Sequence, residues 1–340
     1  MSTIVDADST LWTTDSNQAL HLALVRAKED KEPLGDDAES FEDFHPVFTY
    51  PLKFASGSLA QYLFISHSAR LPKTADDIEG TLYKFIPSDY SKSLSDFSKR
   101  VNEDATIFRP LGTKIASYTR YGVLHSKGKG KTKATDTLDE DDEDAIVYEV
   151  YHTTMSTPGF RDYHRRAQIF ILLYIEAGSY IEEEDDRWEF VVLYERRRRK
   201  DATRTPVYHF VGYSSLYPFW CWPDKIRLRL SIFLAELYNA LYRYLLTRDD
   251  VLELTIEDPA EAFEDLRDKN DLQMLLANNM FMAEACGDKS GGKKGKLGPP
   301  ADKAWVEEWR IKMKIAKARF SVQCLTPKLN KWTYSANSNV

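Results

Sequence analysis

The sequence predicts an α+β fold: a mixed, mainly antiparallel sheet flanked by helices, with a smaller α/β domain ahead of it and a helical segment at the carboxyl end. Three observations carry that expectation. Ile226, Leu228, Leu230, Ile232 and Leu234 alternate with Arg227, Arg229, Ser231 and Phe233, the period of two of a half-buried strand. Helical spacing then takes over at Leu237, Leu241, Tyr244 and Leu245 with no turn residue between. Strand and helix patterns go on alternating through the second half, as they do where helices cover a mixed sheet. With 340 residues, 43% of them hydrophobic, the chain has material for about two cores.

Taken in order, residues 1–40 are polar and acidic and read as a tail. An amino-terminal domain over 41–124 contains strand-like runs at Leu59 to Ile65 and Thr81 to Ile86. Leu94, Phe97 and Val101 set a helix over Ser91 to Val101. Residues 125–145 hold a basic run, Lys127 to Lys133, and an acidic one, Asp136 to Asp144, the composition of a flexible solvated insertion. The main domain, 146–286, opens with an apolar helix from Phe160 to Ile181 and a strand from Trp188 to Tyr194. A basic turn, Arg196 to Lys200, leads to a strand from Val207 to Tyr217 and then to the alternating strand and helix above. Asp249 and Asp250 end that helix, Val251 to Ile256 is a strand, Pro259 opens a helix, and Asn270 or Asp271 caps another. A Gly/Lys/Pro linker over 287–300 precedes a final amphipathic helix within 301–320, marked by Trp305, Trp309, Met313 and Ala316, and 321–340 reads as tail.

Composition excludes several functions. The 46 basic and 53 acidic residues leave a net charge of −7, the wrong sign for a general nucleic-acid binder and a suitable one for a basic partner. Cys221, Cys286 and Cys324 are far apart, which supports neither a disulfide framework nor a zinc cluster and suits a reducing compartment. Met1 to Thr14 lacks the basic start and apolar stretch of a secretory signal, and Leu230 to Leu246, interrupted by Glu236 and Arg243, is too short to span a bilayer. The expectation is a soluble intracellular protein. Glycine is scarce, 15 in all, and none lies between Gly212 and Gly287. No turn in that interval can cradle a phosphate with glycine amides.

Gly287 to Lys293 has the glycine spacing of a phosphate loop but puts Lys294 where a magnesium-binding hydroxyl belongs, and no strand precedes it, so it reads as linker. His152 and His164 lack metal-ligand spacing, and no metal is expected. Glu257 and Asp258 follow a strand, where a partly desolvated carboxylate can act as a general base. The alternative is that they merely favour the start of the next helix. Glu176 lies inside an apolar helix, where a carboxylate is either paired or functional. Tyr217, Phe219, Trp220 and Trp222 are either a packed core edge or, if exposed, a grip for the stem and ammonium of a lysine.

Several of these segments together resemble the catalytic subunits of the type B histone acetyltransferases. They are Phe160 to Ile181, Trp188-Glu189-Phe190, Val211-Gly212-Tyr213, Tyr217, Pro223-Asp224-Lys225 and, above all, Thr255-Ile256-Glu257-Asp258-Pro259 with Leu266-Arg267-Asp268. Phe44-His45-Pro46, Ala55-Ser56-Gly57-Ser58-Leu59 and Asp77-Ile78-Glu79-Gly80 resemble that family's amino-terminal domain. The likeness spans residues 40 to 318, and the combination is far more specific than any one motif. It implies the acetyl-CoA-dependent N-acetyltransferase fold, acetyl-CoA as co-substrate, and acetylation of lysines in the amino tail of newly made histone H4. It also implies a WD-repeat histone chaperone as partner and a place in nucleus and cytoplasm.

For the site, the resemblance implies Glu257 as base, with Glu176 and Asp258 as contributors or alternatives. A lysine of reference pKa about 10.4 needs such a base before its amine can attack the thioester. No covalent enzyme intermediate is implied. Backbone N–H groups of Ile232, Phe233 and Leu234 are placed near the developing oxyanion, Ala260 and Lys269 match further coenzyme positions, and Tyr217, Pro218 and Phe219 match the histone-tail contact.

The chain departs from the family where Leu234 runs straight into Ala235. The loop whose amides hold the coenzyme pyrophosphate is missing, as is a strand-turn-strand piece at Pro51 to Phe54. A missed exon or faulty gene model accounts for such clean junctions, as does a splice variant; the first is favoured because both flanks remain intact. As written, the chain is expected to bind acetyl-CoA weakly. Two other readings stay open: a catalytically impaired relative that still binds histone or chaperone, and a small-molecule N-acetyltransferase.

Overall fold

The computed structural model describes residues 20–23, 27, 30, 55–65, 80, 83–121, 140, 145–174, 178–232, 235–256, 259, 261–287, 295–298, 300–317 and 320. Along them run β1 (Leu20–Ala23), β2 (Tyr62–Ile65), α1 (Leu94–Ile107), β3 (Thr113–Tyr121), β4 (Ala145–Thr154), α2 (Phe160–Ala167), α3 (Ile169–Tyr174) and β5 (Glu189–Arg198). The order continues with β6 (Pro206–Cys221), β7 (Lys225–Ile232), α4 (Ala235–Leu246), β8 (Val251–Ile256), α5 (Glu261–Ala277), α6 (Asn279–Cys286) and α7 (Lys303–Lys312). β1 pairs with β2, and the other six strands form one sheet in chain order. β3–β4 and β6–β7 are antiparallel and β7–β8 is parallel, so the sheet is mixed and mainly antiparallel, as the α+β reading requires. Two compact units divide β5 and β6 between them: residues 1–186 with 192–212, and residues 187–191 with 213–340.

In the first unit, α1 starts where Ser93 accepts a hydrogen bond from the Asp96 amide. Its buried stripe, Phe97, Val101 and Ala105, recurs every four residues and packs on Ala27 and Ala60. Gly57 is required as such, because a Cβ there would sit 2.4 Å from the Tyr208 carbonyl oxygen. Arginines tie segments distant in sequence. Arg166 binds Asp89 at 2.6 Å and the Ser58 carbonyl at 3.0 Å, and Arg100 binds the same Asp89 at 2.7 Å. Burial alone would raise the Asp89 carboxyl, but the two guanidinium groups hold it below the ordinary range.

Several expectations need correction. The helix over Phe160 to Ile181 is two, α2 and α3, and from residue 178 to Trp188 the chain is irregular. Arg165 and Gln168 bind Glu183, and Arg161 binds Asp186, so this acidic stretch folds back onto α2 instead of extending the helix. Tyr83 to Ile86 forms turns, not a strand; Thr81 lies outside the described residues. Arg196, Arg197 and Arg198 belong to β5, not to a turn. Arg196 pairs with Glu149 at 2.9 Å, Arg197 with Glu195 at 2.5 Å, and Arg199, past the strand, with Asp30 at 3.2 Å. α5 runs unbroken through Asn270 and Asp271; the cap lies further on, where Asn278 accepts from the Phe281 amide and starts α6.

In the second unit, α4 buries Leu237, Tyr238, Leu241, Tyr242 and Leu245, the face set by its helical spacing. Leu275, Phe281, Ala285, Trp305, Trp309, Met313, Ile315 and Phe320 make a further core joining α5, α6 and α7. Phe281 stacks on Trp305 at 5.3 Å and meets Trp309 edge-on at 5.2 Å. The Glu284 carboxylate accepts from both indole N–H groups. Part of the Gly/Lys/Pro stretch is ordered against α6: the Lys296 and Leu297 amides donate to the Glu284 and Ala285 carbonyls. β8 receives the segment just past α7, with the Leu254 amide donating to the Lys314 carbonyl at 2.8 Å. Beneath it the buried Glu253 pairs with Arg310 at 3.2 Å and with Arg227.

Two outcomes follow from this packing. Arg310→Met leaves Glu253 buried with one partner fewer, and the second unit should lose about 3 kcal/mol. Urea unfolding followed by tryptophan fluorescence reads this as a lower midpoint at unchanged slope; a loss under about 1 kcal/mol would mean water replaces the guanidinium. The second concerns His164, which burial, with the charge of Arg165 added, pushes down to about 3. The unfolded imidazole takes its proton near pH ~6.5 while the folded one stays neutral, so stability present above that pH is lost as pH falls toward the folded value. His164→Phe should therefore flatten the dependence of unfolding free energy on pH below about 6.5. An equally steep dependence in the variant would rule His164 out as its source.

Candidate active site at the ends of the parallel strands

Parallel pairing of β7 and β8, with Leu230 opposite Ile256, brings the carboxyl ends of both strands to one edge of the sheet. Each strand is then followed by a helix: α4 begins at Ala235, three positions past Ile232, and α5 at Glu261, five past Ile256. The first turns of two helices, with their unpaired N–H groups and positive dipole ends, thus follow neighbouring strand ends, an arrangement that favours an anion.

Of the predicted residues, Ile232 is the last of β7 and pairs with Ser214 on β6. Lys269 is exposed on α5. Glu176, Phe233, Leu234, Glu257, Asp258 and Ala260 lie outside the described residues. Tyr217, Pro218 and Phe219 are on β6, opposite Arg229, Leu228 and Arg227 of β7. Arg229 is in turn opposite Thr255 of β8, so one row crosses from the aromatic residues to the strand that precedes Glu257.

The aromatic group forms a ledge rather than a packed core edge. Trp220 and Trp222 are 70% and 78% exposed and Phe219 39%. Tyr217 packs on Trp188 at 4.6 Å and meets Phe219 edge-on at 5.1 Å. Two guanidinium groups of the chain itself lie over these rings: Arg187 is 4.9 Å from the Tyr217 centroid and Arg229 4.7 Å from that of Phe219. Sequence reasoning placed a lysine ammonium on such faces and missed the arginines. The signal was present in Arg227 and Arg229, whose strand positions put them on the face of Tyr217 and Phe219 once the β6–β7 register is known.

Behind the edge, α5 carries the buried Arg267, whose Nε has no hydrogen-bond partner among the described residues. The Tyr238 hydroxyl of α4 donates to Asp271 at 2.9 Å. Burial and the charge of Asp271 push the Tyr238 phenol well above its ordinary range. Paired strand ends followed by two helix N-termini suit an anionic ligand. A phosphate cradle of glycine amides is not available between β7 and α4, since only Phe233 and Leu234 separate them and neither is glycine. Among the described residues there is no group of three His, Cys, Asp or Glu side chains that would hold a metal, and no helix is long and apolar enough to cross a membrane.

Comparison with known proteins agrees with this geometry. Residues 12–176 match the family described as "Histone acetyl transferase HAT1 N-terminus". The chain is 48% identical over 344 residues to the histone acetyltransferase type B catalytic subunit of Cryptococcus neoformans var. neoformans serotype D, covering 91% of this chain and 81% of the relative. It is 38% identical to the protein of that name from Mycosarcoma maydis, over 91% of this chain and 73% of the relative. The mouse protein of that name is 28% identical over 76% of this chain and 63% of its own length. Shared sequence at that level over most of both fungal chains, on an α+β sheet with helices, means that this chain belongs to the family of histone acetyltransferase type B catalytic subunits, which are acetyltransferase enzymes.

Proposed function

We propose that the protein is an acetyl-CoA-dependent lysine N-acetyltransferase that acts on the amino tail of newly made histone H4. The observation that carries this reading is the 48% identity over 91% of the chain with a protein named for that class of activity. The substrate lysine arrives as an ammonium, and Glu257 removes its proton, with Glu176 and Asp258 assisting or replacing it. The free amine then attacks the thioester carbonyl directly, forming the amide N–C bond as the C–S bond breaks. The thiolate leaves with the second amine proton. Backbone N–H groups of Ile232, Phe233 and Leu234 stabilise the oxygen that gains charge, and Ala260 and Lys269 hold the coenzyme.

The tail lies along Tyr217, Pro218 and Phe219, where the exposed ledge supports this reading. With Arg187 and Arg229 over two of the rings, the ledge takes the aliphatic and backbone parts of the peptide there and leaves its cations to carboxylates. A WD-repeat histone chaperone is the proposed partner, and nucleus and cytoplasm the proposed locations. The two-residue step from Ile232 to Ala235 favours a second reading, in which the chain as written binds histone but turns over poorly.

Activity is tested on the purified chain with a histone-tail peptide and, in parallel, a polyamine; acetylation of the polyamine alone would move the protein to the small-molecule class. Glu257→Gln should cut peptide turnover by ~10²-fold or more with little change in peptide binding. An unchanged rate would transfer the role of base to Glu176 or Asp258. Inserting a glycine-containing loop of the family type between Leu234 and Ala235 should raise the melting temperature shift on adding acetyl-CoA, since a ligand stabilises only the state that binds it. An equal shift in both chains would show that the pyrophosphate is held elsewhere.

A further inference from the structure

The proposed chemistry leaves unused one stripe of α5. Phe263, Arg267 and Asp271 recur every four residues and so share a face of the helix. All three converge on Tyr238, in the first turn of α4. Phe263 meets its ring edge-on at 5.8 Å and Asp271 accepts its hydroxyl proton at 2.9 Å, so Arg267, one turn from each on the same stripe, lies on the face that meets Tyr238. Arg267, Tyr238 and Asp271 are only 4%, 3% and 8% exposed. A guanidinium desolvated to that degree is expensive unless its position matters, because a packed apolar side chain of the same length would hold two helices together at lower cost.

We propose that Arg267 is a positioning residue: acting through the Tyr238 hydroxyl, it holds the first turn of α4 in register with α5 and so aims the α4 N-terminus at the strand edge. The inference rests on the reading that this edge receives acetyl-CoA. The absence of glycine between Gly212 and Gly287 gives it weight. Where no glycine amides can cradle a phosphate, placement of the helix terminus carries a larger share of anion binding. Arg267 touches neither substrate in this account; its effect reaches them only through α4.

The test uses Arg267→Met, Tyr238→Phe, their double variant and Arg267→Lys, each in the full chain. In the protein without coenzyme, hydrogen exchange of the Asn239 to Tyr242 amides, which bond the carbonyls of the first turn of α4, should quicken about tenfold in each of the Met and Phe variants and no further in the double variant, with partial recovery in Lys. Calorimetric titration with coenzyme A should show binding weakened about tenfold in the same non-additive pattern, and a histone-tail peptide should bind all variants equally. Tyr238→Phe removes only a hydroxyl, so it remains informative even if Arg267→Met does not fold. Unchanged exchange in that variant, or effects that multiply in the double variant, would overturn the proposal. Exchange effects as expected in a chain that binds no coenzyme A would support the positioning role and overturn the proposed use of the edge.

Discussion

The buried contact between Glu253 and Arg310 is the interaction on which the second unit depends. β8 ends the sheet order, and an end strand exposes unpaired backbone groups unless something covers them. Here the carboxyl-terminal segment does so, through the Leu254 amide and the Lys314 carbonyl. Arg310 holds that segment in place by bonding Glu253 on β8, Glu307 on its own helix and the carbonyl of Ile315. Lys314 adds a bond to the Leu245 carbonyl at the end of α4, and Tyr242 bonds the Met313 carbonyl. The strand that leads to the proposed base and the helix that follows its neighbour are thereby fixed from one side by the same few side chains. The desolvated charges are tolerated because each is met by several partners.

Charge is used in the same way in the first unit. A net charge of −7 suggests acidic groups turned outward toward a basic partner, yet many of them are engaged internally. Asp89, Glu149, Glu183 and Asp30 each bind arginines from segments remote in sequence. What composition counts as attraction for a histone tail is therefore in part the means by which the chain holds its own irregular stretches. The aromatic ledge shows the converse, since rings suited to a substrate cation carry cations of the chain's own.

Much of the fold was legible because its signals are local. β8 was placed over Val251 to Ile256, where it is found, and the β7–α4–β8 order was read from period alone. β3 and β4 were not foreseen; Tyr118 and Tyr148, which stack at 5.2 Å, belong to strands separated by a charged run that dominates the local composition. Arg196 to Arg198 resembled a basic turn because ion pairing with distant carboxylates leaves no mark in the neighbouring sequence. Asn270 and Asp271 resembled a cap, but Asp271 instead receives the Tyr238 hydroxyl, a partner 33 positions away. Of the proposed site, Tyr217, Pro218 and Phe219 were named through resemblance, whereas Arg187, Arg229 and Arg267 were not seen, since each acts across strands or helices.

By itself the sequence determined the family, the class of sheet, the strand–helix–strand unit that frames the site, and the absence of glycine where a phosphate loop would lie. The family follows from the resemblance of its motifs and the missing glycine from composition, while hydrophobic period reports the sheet class and the strand–helix–strand unit directly. Only the tertiary structure decided which charges are buried and with whom, that the aromatic ledge is exposed yet covered by guanidinium groups, and that the carboxyl-terminal segment seals β8. Those outcomes turn on register and on contacts between residues far apart in the chain, where desolvation makes each pairing strong and sequence spacing carries no trace of it.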